Sequence, residues 1–230
     1  MGIMSNLGVF DFHTHTFLSD GVLSPVELIR RAYVNGYKVI AVTDHVGGAA
    51  TQEQIIPILV AECALASSRW GILAIPGVEL THLPPSLIDS AARSAKEIGA
   101  KVVVVHGETI VEPVEEGTNM AALASPYVDI LAHPGLLTDN AANLAAQQGT
   151  YIELSARNGH SLTNGHVARA AIAAGARLIL DSDAHSPEDL LNEELARQIA
   201  SGAGLDQAEV DNLLKVNTLS LLKRLGLSIS

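Results

Sequence analysis

Gly8-Val9-Phe10-Asp11-Phe12-His13-Thr14-His15 forms an apolar run that ends in two histidines, and Asp20-Gly21 follows five residues later. A strand repeats every two residues, so His13 and His15 share one face and leave the strand end aimed at one point. Asp20 stands before a glycine, where a turn can fold its carboxylate back over the same point. Two imidazoles and a carboxylate at one strand end can begin a metal site.

The pattern repeats along the chain. Ser24-Pro25-Val26-Glu27 is a capping box with proline at the first helical position, and Leu28, Ile29, Ala32 and Tyr33 continue at helical spacing up to Gly36. Residues 38–43 form a near-continuous apolar strand, of the kind buried on both faces of a parallel sheet, ending in Asp44-His45. A helix over about 52–70 then precedes a strand at 72–78 that delivers Glu79. Pro84-Pro85 opens a helix to Gly99, before the strand 102–105 and His106. A short helix near 119–124 leads to the strand 128–132 and His133. Helices ending at Gly149 and Gly175 lead to strands 150–155 and 177–180, the second of which delivers Asp181-Ser182-Asp183-Ala184-His185. A last helix is predicted from Ser186-Pro187, and 206–225 read as a helical tail.

Seven strands alternating with helices, with no Gly/Ser/Pro-rich linker, predict one α/β domain over residues 1–230. An open doubly wound sheet fits the alternation, but it gathers its site at one switch point. Here polar groups follow nearly every strand, which predicts a distorted TIM-like (β/α)7 barrel over about 8–200, its βα loops converging on one mouth.

The 230 residues are 48% hydrophobic, ample for a core, and no apolar run reaches the roughly 18–20 residues of a membrane helix. Met1-Gly2 begins like a myristoylation signal, but Asn6 stands where Ser or Thr is required. The one cysteine, Cys63, lies among Val60, Ala64 and Leu65, excludes an intramolecular disulfide and predicts a buried thiol in a reducing cytoplasm. A net charge of −11 argues against a broad nucleic-acid surface, and 3% aromatic residues leave few stacking platforms.

Six of the nine histidines follow apolar strands: His13, His15, His45, His106, His133 and His185, joined by Asp20, Glu79 and Asp183. Imidazole mixed with carboxylate and no thiolate suits zinc, manganese or iron, and nine donors suit two or three ions rather than one.

These nine residues resemble the signature of the polymerase-and-histidinol-phosphatase (PHP) family: His-x-His with a following Asp or His, then Asp-His, Glu, His, His and Asp-x-His, over roughly residues 8–190. Short histidinol-phosphatase-like members are nearest, in phrases such as Pro76-Gly77-Val78-Glu79-Leu80-Thr81-His82. The resemblance implies a distorted seven-stranded barrel holding three divalent ions: His13, His15, Glu79 and Asp183 around the first, Glu79 bridging to a second with His106 and His133, and Asp20, His45 and His185 around the third.

Bridged metals activate water near neutral pH, so the implied reaction is hydrolysis of a small phosphomonoester without a covalent intermediate. Arg157 follows the sixth strand and is a candidate for bidentate phosphate binding, with an ordinary salt bridge as the alternative. His160 is a candidate for assisting the leaving group; otherwise it reads, like His82 and His166, as a surface or supporting histidine. Three alternatives stand beside this reading. An amidohydrolase would carry a modified lysine at the end of the fourth strand, where this chain has His106, with Lys101 at the strand's other end. A nuclease of the same family would act on a nucleic-acid end, and a metal-binding scaffold would lack turnover.

Overall fold

Each apolar run pairs in parallel with its neighbour because a helix returns the chain to the same end of the sheet. The structure is a computed structural model that describes residues 8–229, so the Met1-Gly2 start and the outermost residues of the predicted domain lie outside the described residues. The strands are β1 (Val9–Asp11), β2 (Tyr37–Val42), β3 (His45–Val46), β4 (Leu73–Leu80), β5 (Val102–His106), β6 (Ile130–Ala132), β7 (Tyr151–Ser155) and β8 (Leu178–Asp181). Their order is β1-β2-β4-β5-β6-β7-β8, all parallel.

The staves of the TIM-like barrel number seven, as predicted, because β3 only continues β2. The first half of β4 pairs with β2 (Val42 opposite Pro76) and the second half with β3 (His45 opposite Glu79). Pro76 withholds a ladder N–H at the break. Gly77 beside it is required: a Cβ there would lie 2.8 Å from Val102 O and 2.9 Å from Thr43 Cγ2.

Closure falls between β1 and β8. Above the strands, His13 O accepts from Asp183 N–H (2.9 Å) and Ala184 O from His15 N–H (2.8 Å). Lower down, side chains replace the ladder: Asp181 Oδ1 accepts from Phe12 N–H (2.7 Å) and Asp11 Oδ1 from Ser182 N–H (3.1 Å). Burial raises both carboxyls, Asp11 to about 6 and Asp181 well above the usual range.

The helices are α1 (Pro25–Val34), α2 (Ala49–Arg69), α3 (Ile88–Ile98), α4 (Thr118–Ala124), α5 (Asp139–Gln148), α6 (Asn164–Ala174), α7 (Glu193–Gly202), α8 (Gln207–Asp211) and α9 (Thr218–Arg224). Ser24 caps α1 by accepting from Glu27 N–H (3.3 Å), one half of the predicted capping box; the Glu27 carboxylate turns instead to Arg31 (2.9 Å). Outward side chains such as Val103, Val105, Ile152 and Leu154 pack on the small residues of α3 to α6, including Ala92, Ala95, Ala142 and Ala171. Inward side chains (Phe10, Phe12, Val39, Ile75, Val104, Ile130 and Ile179) fill the barrel and meet Leu221 and Leu222 of α9. The tail runs helically over 207–224 with a π segment at Asn212–Asn217, and it plugs the end opposite the mouth. None of the helices is long and apolar enough to cross a membrane among the described residues.

One expected helix is interrupted. Ser186-Pro187 opens only a 3-10 turn, Pro187–Asp189. The Asp189 carboxylate folds back onto the N–H groups of His185 (3.0 Å) and Ser186 (2.8 Å), and Leu190 becomes extended. Asn192 then caps α7 afresh, accepting from Leu195 N–H (2.9 Å).

Candidate metal centre

The βα connections bring all nine predicted donors to one mouth. His13 and His15 leave the end of β1 on either side of Thr14, which turns its hydroxyl to Ala41 O (2.6 Å), so both rings take the other face. The loop carrying Asp20 is braced by Asp44, which accepts from Thr16 N–H (2.7 Å) and from the hydroxyls of Thr16 (2.8 Å) and Ser19 (2.7 Å). His45 opens β3, Glu79 is the last residue but one of β4, His106 ends β5, and His133, Asp183 and His185 follow β6 and β8. Seven of these line a cavity of about 290 Å³ together with Thr81, His82, Glu112, Arg157 and His160. His13 and His15 lie beneath its floor, fully buried.

Most rings are oriented alike, by an outer partner at Nδ1. His13 Nδ1 lies 2.6 Å from Glu153 Oε2, His106 Nδ1 3.2 Å from Gly107 O and His160 Nδ1 2.8 Å from Thr109 Oγ1, while His45 Nδ1 lies 2.6 Å from both Thr81 Oγ1 and the inward-facing Glu79 Oε2. A carboxylate or carbonyl can only accept, so His13 and His106 each carry a proton on Nδ1, which leaves Nε2 as the nitrogen that would meet a cation. At His185, Asp183 O (2.9 Å) and the Arg157 guanidinium both meet Nδ1, and the two demand opposite tautomers.

The Nε2 atoms then face carboxylate oxygens. Glu79 Oε1 is 3.5 Å from His13 Nε2 and 3.4 Å from His133 Nε2, and Oε2 is 3.7 Å from His15 Nε2. Asp183 Oδ1 lies 3.3 Å from His15 Nε2. Asp20 Oδ1 lies 3.4 Å from His45 Nε2 and 3.2 Å from His185 Nε2. Two donors each about 2.1 Å from a shared tetrahedral ion sit about 3.4 Å apart, so these spacings fit cation sites. His13 Nε2, both nitrogens of His15 and Glu79 Oε1 are buried and find no hydrogen-bond partner in the structure. A buried polar atom left so is costly, and a divalent cation would satisfy His13 Nε2, His15 Nε2 and Glu79 Oε1, though not His15 Nδ1 on the far side of its ring. Donor atoms within 4.8 Å of one another also group as His15-Asp20-His45-His185, His13-His15-Glu79, His13-His133-Asp183 and His106-His133-His160.

The charges are strongly perturbed. Burial would lower His45, but the Glu79 and Asp20 carboxylates outweigh it and lift the ring to about 10. His13 is likewise raised against burial by Glu153, Glu79 and Asp183. Burial and neighbouring imidazoles depress His15 to about 3. Asp183 and Glu79 are held well below the usual carboxylate range, the facing histidines overcoming the penalty of burial. His82 (φ 52°), His133 (φ 27°) and Asp183 (φ 53°) are the left-handed non-glycine residues among those described, and all three line this cavity.

Arg157 reaches the mouth with Nη1 3.3 Å from Asp183 O. His160 lies there too, its ring stacked 4.1 Å from that of His133. His82 also reaches the cavity, whereas His166 is elsewhere, with Nε2 2.8 Å from Leu137 O. Sequence reasoning missed Glu112, Glu153 and the bracing Asp44. Glu153 lies two residues before Ser155 in a strand read as apolar, and Glu112 lies in an irregular connection with no periodicity to mark it.

An α/β barrel whose strand ends gather imidazoles and carboxylates at one mouth defines a metal-dependent hydrolase by fold and site. No family model matches the chain. It is 46% identical over 216 residues to an uncharacterized protein of Methanocaldococcus jannaschii, covering 94% of this chain and 99% of that one. A probable phosphatase of Thermoanaerobacter sp. is 28% identical over 225 residues, 89% of this chain and 90% of that one. DNA polymerase/3'-5' exonuclease PolX of Bacillus subtilis is 28% identical over 203 residues, 78% of this chain but 35% of PolX. The structure of histidinol phosphate phosphatase of Lactococcus lactis, solved with zinc, L-histidinol and phosphate, superposes with TM-score 0.54 at 14% identity over 96% of this chain and 95% of that one. That of A. niger ochratoxinase superposes with TM-score 0.62 at 13% identity over 93% and 71%. At such identities the two superpositions speak for the barrel alone. The chain belongs to the PHP family, and it is a hydrolase of phosphoester bonds.

Proposed function

We propose that this metal-dependent phosphoesterase releases inorganic phosphate from a small phosphomonoester, in a reducing cytoplasm, as a single PHP domain closed from below by its own tail. The observation that carries this reading is the convergence of imidazole Nε2 atoms and carboxylates from the barrel's βα connections on one cavity. His13, His15, Glu79 and Asp183 would hold one divalent ion, Glu79, His106 and His133 a second, and Asp20, His45 and His185 a third, with zinc, manganese or iron all suited to the donors. Such a cluster supplies a water acidified to hydroxide near neutral pH and positive charge against the phosphoryl oxygens.

The chain's own residues supply the rest. Glu153 keeps the proton of His13 on Nδ1. With His185 Nδ1–H donated to Asp183 O, Arg157 loses its acceptor at His185; Nη1 keeps Asp183 O (3.3 Å) and Nε faces Asp183 Oδ2 (3.9 Å), and the remaining N–H groups would meet a phosphate oxygen. His160, Nδ1 directed to Thr109, faces the cavity through Nε2; burial and the neighbouring His133 lower the ring to about 4, so it would assist a departing oxygen as a neutral hydrogen-bond partner.

Arg157 is the one arginine or lysine lining the cavity, while Asp20 and Glu112 add negative charge to its edge. A lone guanidinium in about 290 Å³ suits one terminal phosphate better than a polyanionic strand. The likeness in sequence to the probable phosphatase of Thermoanaerobacter supports the same choice, and the likeness to PolX keeps a nuclease as the second reading. Phosphate release from a panel of phosphomonoesters, including histidinol phosphate and nucleotides, beside a labelled oligonucleotide decides between them. Each assay is run with manganese or zinc and with Asp183→Asn as control. Release from a small ester, absent in the variant, is expected; shortening of the oligonucleotide alone would overturn the phosphomonoesterase reading.

A further inference from the structure

We propose that Glu112 is an additional metal-binding carboxylate, carried over the ion of His106 and His133 by the β5–α4 connection and seated there with His82. This rests on the metal-centre reading above. The connection, residues 107–117, is pinned at its base: the Glu108 carboxylate accepts from the N–H groups of Gly117 (3.0 Å) and Asn119 (2.8 Å), and Glu108 N–H donates to Asn119 Oδ1 (3.0 Å). Thr109 meets His160 Nδ1 at 2.8 Å, and Val111 rests against Gly159, where an added Cβ would lie 3.5 Å from its Cγ2. An arch tied at several points places its crown; Glu112 is not a loose surface side chain.

The Glu112 carboxylate faces three imidazoles from three connections. Oε2 is 3.1 Å from His106 Nε2 and 3.4 Å from His82 Nε2, and Oε1 is 3.4 Å from His160 Nε2. The His106 proton is committed to Gly107 O, so its Nε2 offers a lone pair toward a carboxylate oxygen. Lone pair against lone pair at 3.1 Å is repulsive unless a cation stands between them, and the spacing is that of two donors on one ion. His82 reinforces the assignment. It adopts a left-handed φ of 52°, unusual for histidine, and that turn brings its ring within 5.1 Å of the His106 ring. The Glu112 side chain is 37% exposed and that of His106 only 3%, so Glu112 lies on the solvent side of His106.

The test counts and titrates ions. Wild type, Glu112→Gln, His82→Gln and His106→Ala are loaded with zinc and titrated with a competing chelator; bound zinc is measured by elemental analysis, and thermal unfolding is followed alongside. We expect His106→Ala to lose an ion outright. Glu112→Gln should release one ion about tenfold or more readily than wild type, His82→Gln should weaken that same ion, and both should melt like wild type after zinc is stripped. If His106→Ala loses an ion while Glu112→Gln and His82→Gln hold theirs with wild-type affinity, the inference falls and the metal centre stands. If His106→Ala keeps the full zinc content, the metal-centre reading itself falls and takes the Glu112 assignment with it.

Discussion

The Glu153 carboxylate lies 2.6 Å from Nδ1 of His13, and both side chains are fully buried. A carboxylate behind a histidine fixes its tautomer and raises its basicity toward whatever Nε2 binds. Replacing it by alanine should weaken zinc binding about 10–100-fold while leaving far-UV circular dichroism unchanged, and Glu153→Gln, which keeps an acceptor, should cost less. Wild-type zinc affinity in both variants would show that Glu153 only fills space.

His45 is lifted to about 10 from an ordinary 6.5 by Glu79 and Asp20. A raised folded value means that the stability it contributes is full below pH 6.5 and is lost as pH rises through 10. Asp183 and Glu79, depressed, contribute above the ordinary carboxylate range and lose their contribution only in strong acid. Chelator-treated protein should therefore melt at progressively lower temperature from about pH 6.5 to 10. Zinc-loaded protein should not, since the cation takes the place of the proton. Zinc binding at pH 7 should release protons, measured by calorimetry in two buffers of different ionisation enthalpy. Matching alkaline profiles with and without zinc would contradict this account.

Asp183→Asn and His106→Ala should each abolish turnover while keeping the far-UV circular dichroism of wild type, because both residues face a cavity rather than the helix-covered core. Phosphate release at wild-type rates, with wild-type metal content, would refute the assigned roles.

At the β1–β8 seam, Asp181 accepts from Phe12 N–H while burial holds its carboxyl far above the usual range. Asp181→Asn keeps the acceptor and removes the tendency to ionise, so its stability should match or exceed wild type at neutral pH. Asp181→Ala strands the N–H and should cost about 1–3 kcal/mol in denaturant unfolding. Equal losses in the two variants would argue against the hydrogen bond as the closing element.

Leu221 of α9 is fully buried against the barrel interior. Leu221→Ala should destabilise by about 2–5 kcal/mol, read from urea unfolding, and should leave zinc stoichiometry intact. A loss below 1 kcal/mol would mean that the tail covers the barrel without packing into it.

The alternation of apolar strands with capped helices was legible from residue order alone, because periods of 2.0 and 3.6 are local properties of the chain. So was the gathering of the nine residues at the mouth, since all but Asp20 stand at or just beyond the end of an apolar run, where a parallel barrel must open its mouth, and Asp20 follows His15 by five residues. Local pattern failed at Ser186-Pro187, where the Asp189 carboxylate folds back onto two backbone N–H groups and ends the helix after one turn. Closure of β1 onto β8 needed the fold, because Asp11 and Asp181 are 170 positions apart in sequence and meet only when the barrel bends round. The same holds for Glu153 behind His13 and for Glu112 facing His82, His106 and His160. A donor's identity is written in the residue; which lone pair it presents, and to whom, is set by partners that tertiary packing brings from remote parts of the chain.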